Sequence, residues 1–204
     1  MARNRNLNTQ NRNNNAKKQQ TGQVRIIAGQ YRGRKLPVLM ADGLRPTTDR
    51  VKETVFNWLM PYLVDSSCLD CYSGSGSLGF EALSRGAKSI TFFELNSAAA
   101  KQLDANISLL KATKAKVEKG NCLDLLAKAS DKFDLVFIDP PFRQNLASKT
   151  AELLNKQSLL NDNAIIYVET ESEITNLQLP INWQLLKEKV SGQVAYRLYQ
   201  FNAD

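Results

Sequence analysis

Phe133-Asp134-Leu135-Val136-Phe137-Ile138-Asp139-Pro140-Pro141-Phe142 sets the frame for the whole chain. Its mostly apolar front half reads as a buried strand. The prolines fix their own φ and push the residues before them into extended geometry, so the strand empties into a stiff loop. Neither proline has an N–H, which leaves carbonyl acceptors with few competing donors, beside one carboxylate and one aromatic ring. That set suits a planar amine: acceptors for its hydrogens and a ring to stack on its heterocycle. The plain alternative is a strand-to-helix turn with Phe142 in the core. The tetrapeptide alone does not choose between the two, and the surrounding chain has to decide.

Working outward, Ser67–Cys71, Ser89–Glu94, Ala115–Lys119, Phe133–Ile138 and Ala164–Glu169 read as strands, with helices near 78–85, 97–111, 122–129 and 145–156. Repeated βα units of this length imply a parallel sheet covered on both faces. Trp183–Val190 and Gln193–Phe201 flank Ser191-Gly192, a hairpin signal that makes the last two strands antiparallel. Upstream, Arg45-Pro46-Thr47-Thr48-Asp49-Arg50 leads into a helix capped by Thr47 or Thr48, with an apolar stripe of Val51, Val55, Trp58, Leu59 and Tyr62 expected in the core. Val24–Ala28 and Lys35–Leu39 are strand-like runs around Gly29-Gln30-Tyr31-Arg32-Gly33-Arg34. They predict a β-hairpin whose tip carries an aromatic among cations, suited to phosphates and exposed bases or else merely decorated with solvated charge. Residues 1–23, dominated by Asn, Gln, Arg and Lys, are expected to be disordered when free. Three parts result: a tail over 1–23, a hairpin and helix extension over 24–62, and an α/β domain over 63–204.

Composition narrows the chemistry. The 204 residues, 43% of them hydrophobic, allow one domain plus an extension. No apolar run approaches the roughly 20 residues a bilayer span needs, and the N-terminus lacks a secretory signal's apolar core, so a soluble cytoplasmic protein is expected. The absence of histidine removes Ser-His-Asp and Cys-His mechanisms and leaves few ligands for a catalytic zinc. Cys68 and Cys71 form a C-x-x-C, but at a strand end and not at an activating helix N-terminus, so they read as reduced core thiols. The net charge of +7 is lopsided: residues 1 to 50 hold 11 Lys and Arg against Asp42 and Asp49, a balance of +9, which leaves −2 for the other 154. A basic end beside a nearly neutral body points to a polyanionic partner, nucleic acid first among them.

Ser73-Gly74-Ser75-Gly76-Ser77-Leu78-Gly79 contains G-x-G-x-x-G between a strand and a helix, a weak signal shared by nicotinamide, flavin and methyl-donor enzymes. Glu94, 20 residues beyond Gly74 and ending the next strand, is placed to accept both hydroxyls of a ribose. Asp70, four residues before Gly74, would face a diphosphate badly and an amino group well. Ligands of open α/β sheets gather outside the carboxyl ends of the strands, so Asp70, Gly74, Gly76, Glu94, Asn121 and Asp139 are expected to ring one crevice. A cofactor bearing adenine, ribose and an amino acid matches that ring, namely S-adenosyl-L-methionine.

Leu69-Asp70-Cys71-Tyr72-Ser73-Gly74-Ser75-Gly76-Ser77-Leu78-Gly79-Phe80-Glu81-Ala82, followed by Ser84-Arg85-Gly86-Ala87, resembles the first motif of class I methyltransferases. In detail the chain is similar to the bacterial RsmD family, which methylates the N2 amine of a guanine in 16S ribosomal RNA. The Arg25-Ile26-Ile27-Ala28-Gly29 segment, Arg45 to Glu53 and Asp139-Pro140-Pro141-Phe142 carry the resemblance too, and it runs from about Val24 to the C-terminus. It implies a Rossmann-like fold, a mostly parallel seven-stranded sheet with an antiparallel C-terminal hairpin. It also implies catalysis at Asp139, Pro140 and Phe142 without a metal, and cofactor contacts at Asp70, Ser73, Gly74, Gly76, Glu94, Leu95, Asn121 and Cys122. Asn121 stands where many relatives of the fold carry an acid. RNA contacts are implied at Arg25, Tyr31, Arg32, Arg34, Lys35, Arg45, Thr47 and Arg50. The partner would be 16S rRNA in a small ribosomal subunit or late assembly particle, met by a monomer. Competing readings are an adenine-N6 DNA methyltransferase, for whose target-recognition region the chain has no room, a nicotinamide dehydrogenase, and a non-catalytic RNA-binding or assembly factor.

Overall fold

Alternating strands and helices dominate the computed structural model, which describes residues 21–39 and 49–203. A hairpin of β1 (Thr21–Arg25) and β2 (Lys35–Leu39) precedes α1 (Asp49–Leu63). The chain then runs β3 (Ser67–Asp70), α2 (Ser77–Ser84), β4 (Ser89–Glu94), α3 (Ser97–Leu110), β5 (Ala115–Lys119), α4 (Cys122–Leu126), β6 (Phe133–Ile138) and α5 (Leu146–Lys156). It ends in β7 (Leu160–Glu171), β8 (Trp183–Ser191) and β9 (Val194–Phe201). The seven strands after the hairpin form one sheet in the order β5-β4-β3-β6-β7-β9-β8. Every pair from β5 to β7 is parallel, whereas β7, β9 and β8 are antiparallel. The β8–β9 turn places Gly192, at φ 62°, beside Gln193, supplying the left-handed backbone a two-residue hairpin requires.

Period-two alternation sorts the side chains of the central strands onto two faces. Cys68, Ile90, Phe92, Leu135, Phe137, Ile165 and Tyr167 pack with α1, α2 and α3, while Leu69, Cys71, Phe93, Val136, Ile138, Ile166 and Val168 pack with α4 and α5. The C-x-x-C is thereby split: Cys68 and Cys71 are free, buried and directed to opposite faces. Burial pushes the Cys68 thiol up to about 12. Asp134, the one acid within β6, takes the Ser67 N–H at 2.8 Å and the Asn161 amide at 2.7 Å, which satisfies it at the sheet's lower edge. No helix among the described residues is long and apolar enough to cross a membrane.

Several expected boundaries shift. The first hairpin strand is Thr21–Arg25, not Val24–Ala28, so Thr21 to Gln23 belong to the hairpin and not to the tail. Ile26, a core residue, still bonds the opposite arm, donating its N–H to the Arg34 carbonyl and accepting the Gly33 N–H, both at 2.9 Å, whereas Ile27 and Ala28 turn away and donate their N–H groups to the Glu81 carboxylate at 2.8 and 3.1 Å. The stripe of α1 is rotated by about one residue, with Lys52, Val55, Phe56, Leu59 and Leu63 buried. Tyr62 is exposed, and Val51 and Trp58 lie at the margin of the core. Strand β7 extends four residues earlier than expected and two later, since β6 and β9 supply a ladder on either side. Residues 1–20 and the segment with Arg45, Thr47 and Thr48 lie outside the described residues.

Candidate active site

The strand order turns outward from β3, with β4 on one side and β6 on the other, and such a reversal opens a crevice at the carboxyl ends of the strands. Register then fixes which side chains share it. Asp70 pairs with Phe92 and Phe137, and Phe137 with Tyr167, all on the face packed by α1 to α3. Glu94, Asp139 and Glu169 stand two residues beyond Phe92, Phe137 and Tyr167. Four neighbouring strands therefore end in carboxylates on one face, with Asp70 one step deeper.

The glycine loop closes over Asp70. Ser73 donates its hydroxyl to the Asp70 carbonyl at 3.0 Å and its N–H to Phe93 at 3.1 Å, while the Gly79 N–H reaches Asp70 Oδ2 at 3.3 Å. Gly76, at φ 73°, begins α2 without a side-chain cap, and a Cβ there would come within 2.6 Å of Leu103 and Phe80. Ser77 Oγ is buried without a partner. Glu94 accepts the Gly74 N–H at 2.8 Å on one oxygen and the Asn96 N–H at 2.6 Å on the other, which fixes the carboxylate and leaves each oxygen a further lone pair. Asn121 Oδ1 caps α4 by accepting the Leu123 N–H at 2.9 Å, so its amide NH2 remains for a ligand. Beside it Cys122 is buried, and Leu95 is exposed.

Burial raises the Asp70 carboxyl to about 7, against the pull of its Gly79 bond. Asp139, half-buried, is raised well above the ordinary carboxylate range by desolvation, then by the charges of Glu169 and Asp70. Glu169 is also raised by desolvation, although the Tyr167 hydroxyl donates to it at 2.6 Å. Pro140 is buried, whereas Phe142 is 41% exposed and lies outside both core clusters, which disposes of the core-anchor reading of its ring. The Arg143 N–H donates to Glu171 and ties the loop to the end of β7.

A family profile described as "Conserved hypothetical protein 95" matches residues 24–200. The chain belongs to that family. It is similar to ribosomal RNA small subunit methyltransferase D of Escherichia coli (strain K12), 54% identical over 183 residues, 90% of this chain and 92% of the relative. The protein of the same name from Haemophilus influenzae is 57% identical over 88% of this chain and 94% of its own. A solved structure of a candidate methyltransferase from Escherichia coli superposes with a TM-score of 0.82 at 54% identity, covering 90% of this chain and all of that one.

In this member of the Conserved hypothetical protein 95 family, the hairpin turn lies away from the crevice. The Gln30 and Tyr31 N–H groups bond Ser84, and Arg34 donates to the Leu109 carbonyl at 3.2 Å. Ser84 and Leu109 stand at the C-terminal ends of α2 and α3, whose N-termini line the crevice. Since α3 has 14 residues at about 1.5 Å each, the turn sits on the order of 20 Å from the carboxylates. There it walls a cavity of about 560 Å³ lined by Gly29, Tyr31, Arg85, Lys111 and Lys114 among others. Tyr31 is half-buried against the core, while Arg25, Arg32, Arg34 and Lys35 are exposed. Arg50, in the first turn of α1, acts electrostatically on Tyr196, the ladder partner of Glu169, and so lies on the crevice side.

Sequence reasoning passed over three side chains. Glu81 is fully buried and clamps the hairpin, taking Arg85 Nε at 2.7 Å besides the two N–H groups. Lys52 is buried too, donating to the Arg25 carbonyl at 2.7 Å. Glu169 was legible, since it follows Tyr167 by two residues near the carboxyl end of its strand, as Glu94 follows Phe92.

Proposed function

We propose that this crevice binds S-adenosyl-L-methionine and directs its methyl group to the exocyclic N2 amine of an unstacked guanine in 16S ribosomal RNA. Family membership and the names of relatives at 54% identity support ribosomal RNA methyl transfer by this chain. The observation that carries the site is the row of strand-end carboxylates on one face, bordered by the uncapped start of α2 and the exposed Phe142 ring.

The residues fit the cofactor. Free N–H groups at the start of α2 and the orphaned Ser77 hydroxyl suit its carboxylate, Asp70 its ammonium, Glu94 its ribose hydroxyls, and the Asn121 amide with Leu95 and Cys122 its adenine. When bound, S-adenosyl-L-methionine supplies an electrophilic methyl group on a sulfonium. The chain's own work is alignment, worth about 7–11 kcal/mol in well-oriented systems. Guanine N2 is a poor nucleophile because its lone pair is delocalised into the ring. Hydrogen bonds to the Asp139 carboxylate and the Pro140 carbonyl favour a pyramidal nitrogen with an exposed lone pair. As the N–C bond forms, N2 sheds a proton to Asp139, whose raised value makes it a better acceptor. Phe142 offers its exposed face to the unstacked base.

On this reading residues 63–204 carry methyl transfer, while the 24–62 extension grips phosphates of a small subunit or late assembly particle. A contact at the hairpin turn then belongs to RNA reaching on the order of 20 Å past the methylated base. The protein works as a cytoplasmic monomer. Asp139→Ala is expected to cut transfer of labelled methyl to undermethylated small subunits by about a hundredfold or more. Its S-adenosyl-L-methionine affinity, measured by calorimetry, should stay near wild type. Retention of most activity would remove Asp139 from its role. Label absent from subunit guanine, or appearing instead in DNA adenine, would overturn the reading itself.

A further inference from the structure

Of the four carboxylates on the crevice face, Glu169 has no part in the chemistry above. It is 6% exposed, and Tyr167 donates to Oε1 at 2.6 Å. Among the described residues no donor reaches Oε2 and no Lys or Arg forms a salt bridge with Glu169. The Ile138–Val168 register sets the next residues, Asp139 and Glu169, side by side. Alternation sends both to the face of Phe137 and Tyr167, whose rings meet edge-on at 6.2 Å. Two neighbouring acids desolvated without a cation oppose folding, and such an arrangement persists where a ligand brings the missing donors.

We propose that Glu169 is the base-specificity residue of this site: Oε2 accepts the N1–H of the target guanine while Asp139 accepts from its N2 amine. The inference rests on the guanine-N2 reading. Guanine presents N1–H and N2–H as adjacent donors on one edge, and two carboxylates on strands about 4.8 Å apart present adjacent acceptors. Adenine offers a lone pair at N1 next to its amine. Against Glu169 that lone pair meets another acceptor, so the pair of acids selects guanine by repelling its competitor as well as by binding its donors. Tyr167 holds the carboxylate toward the crevice through its other oxygen.

The test uses 2-aminopurine, which keeps the 2-amine and replaces N1–H with a lone pair. Small subunits are reconstituted with 16S rRNA carrying guanine or 2-aminopurine at the methylated position, and kcat/KM is measured on each with the full chain. Wild type is expected to prefer guanine by on the order of 100-fold or more. Glu169→Ala should lose most of its rate on guanine and little on 2-aminopurine, bringing the ratio within about fivefold. Glu169→Gln, which can keep the Tyr167 bond and turn an amide N–H toward a lone pair, should recover rate on 2-aminopurine above that of Glu169→Ala. Calorimetry with S-adenosyl-L-methionine reports that each variant is folded. Equal losses on both bases would make Glu169 merely structural and overturn the inference, as would a wild type indifferent to the two. A wild type that methylates no guanine N2 overturns the functional reading, and this inference with it.

Discussion

Asp70→Asn should make the protein more stable and worse at binding its cofactor. In the fold the Asp70 carboxyl titrates near 7 against an ordinary 3.8, because burial disfavours its charge more than the Gly79 bond favours it. Below the ordinary value the group is protonated in folded and unfolded chains alike and costs nothing. The penalty grows as pH rises from there and is complete above about 7, where it reaches about 4 kcal/mol. Asparagine keeps an acceptor for the Gly79 N–H at nearly the same volume and abolishes the charge. It also relieves Asp139, which the Asp70 charge pushes up. The variant's melting temperature should therefore exceed wild type by a margin that widens from pH 5 to pH 8, with a ceiling of about 8–16 °C for a chain of this size. Its S-adenosyl-L-methionine affinity should fall about thirtyfold, the cost of a lost charge-assisted bond to the ammonium. In wild type that affinity should weaken about tenfold per pH unit below 7, as binding must first deprotonate Asp70. Thermal unfolding and calorimetry across this range read both effects. A stability margin independent of pH would refute the burial argument, and unchanged affinity would refute the ammonium contact.

Two further perturbations probe the hairpin. Gly29 and Gly33 both have φ near +82°, but a Cβ on Gly29 would lie 1.8 Å from the Ser84 carbonyl oxygen, whereas one on Gly33 meets nothing within 4 Å. Gly29→Ala should cost about 2–4 kcal/mol in urea unfolding and Gly33→Ala about 1 kcal/mol, and equal losses would refute the docking contact. Neutralising Arg32, Arg34 and Lys35 together should lower the slope of log affinity for RNA against log salt by about 2 while leaving kcat unchanged; an unaltered slope would make these residues solvated charge.

How far the sequence reached depends on the range of the interaction. Ser89–Glu94 and Phe133–Ile138 were legible to the residue because burial on both faces writes a mostly apolar run into the chain, and the edge strand Ala115–Lys119 because Ala115 and Val117 alternate with charged residues. The bounds of Val24–Ala28 were misplaced because only Val24 and Arg25 belong to the ladder while Ile27 and Ala28 serve the Glu81 clamp, and nothing local distinguishes these uses. The stripe on α1 slipped for a related reason. Lys52 counts as polar in any periodicity, yet a carbonyl 27 residues earlier satisfies its ammonium inside the protein.

For the site, the chain alone determined the parts: a glycine loop between strand and helix, acids at strand ends, and a proline-stiffened loop with an aromatic ring. Covalent geometry and period-two alternation are local, and they survive without a partner. Tertiary structure decided the assembly. Pairing in register placed Glu169 beside Asp139, 30 residues apart in sequence, and burial there raised both acids. Helix packing carried Arg32 and Arg34 to the far ends of α2 and α3 instead of beside Asp139-Pro140-Pro141-Phe142. Strand register and helix docking are settled by contacts between residues distant in sequence, so the sequence names the chemical groups of this crevice and only the fold decides which of them meet.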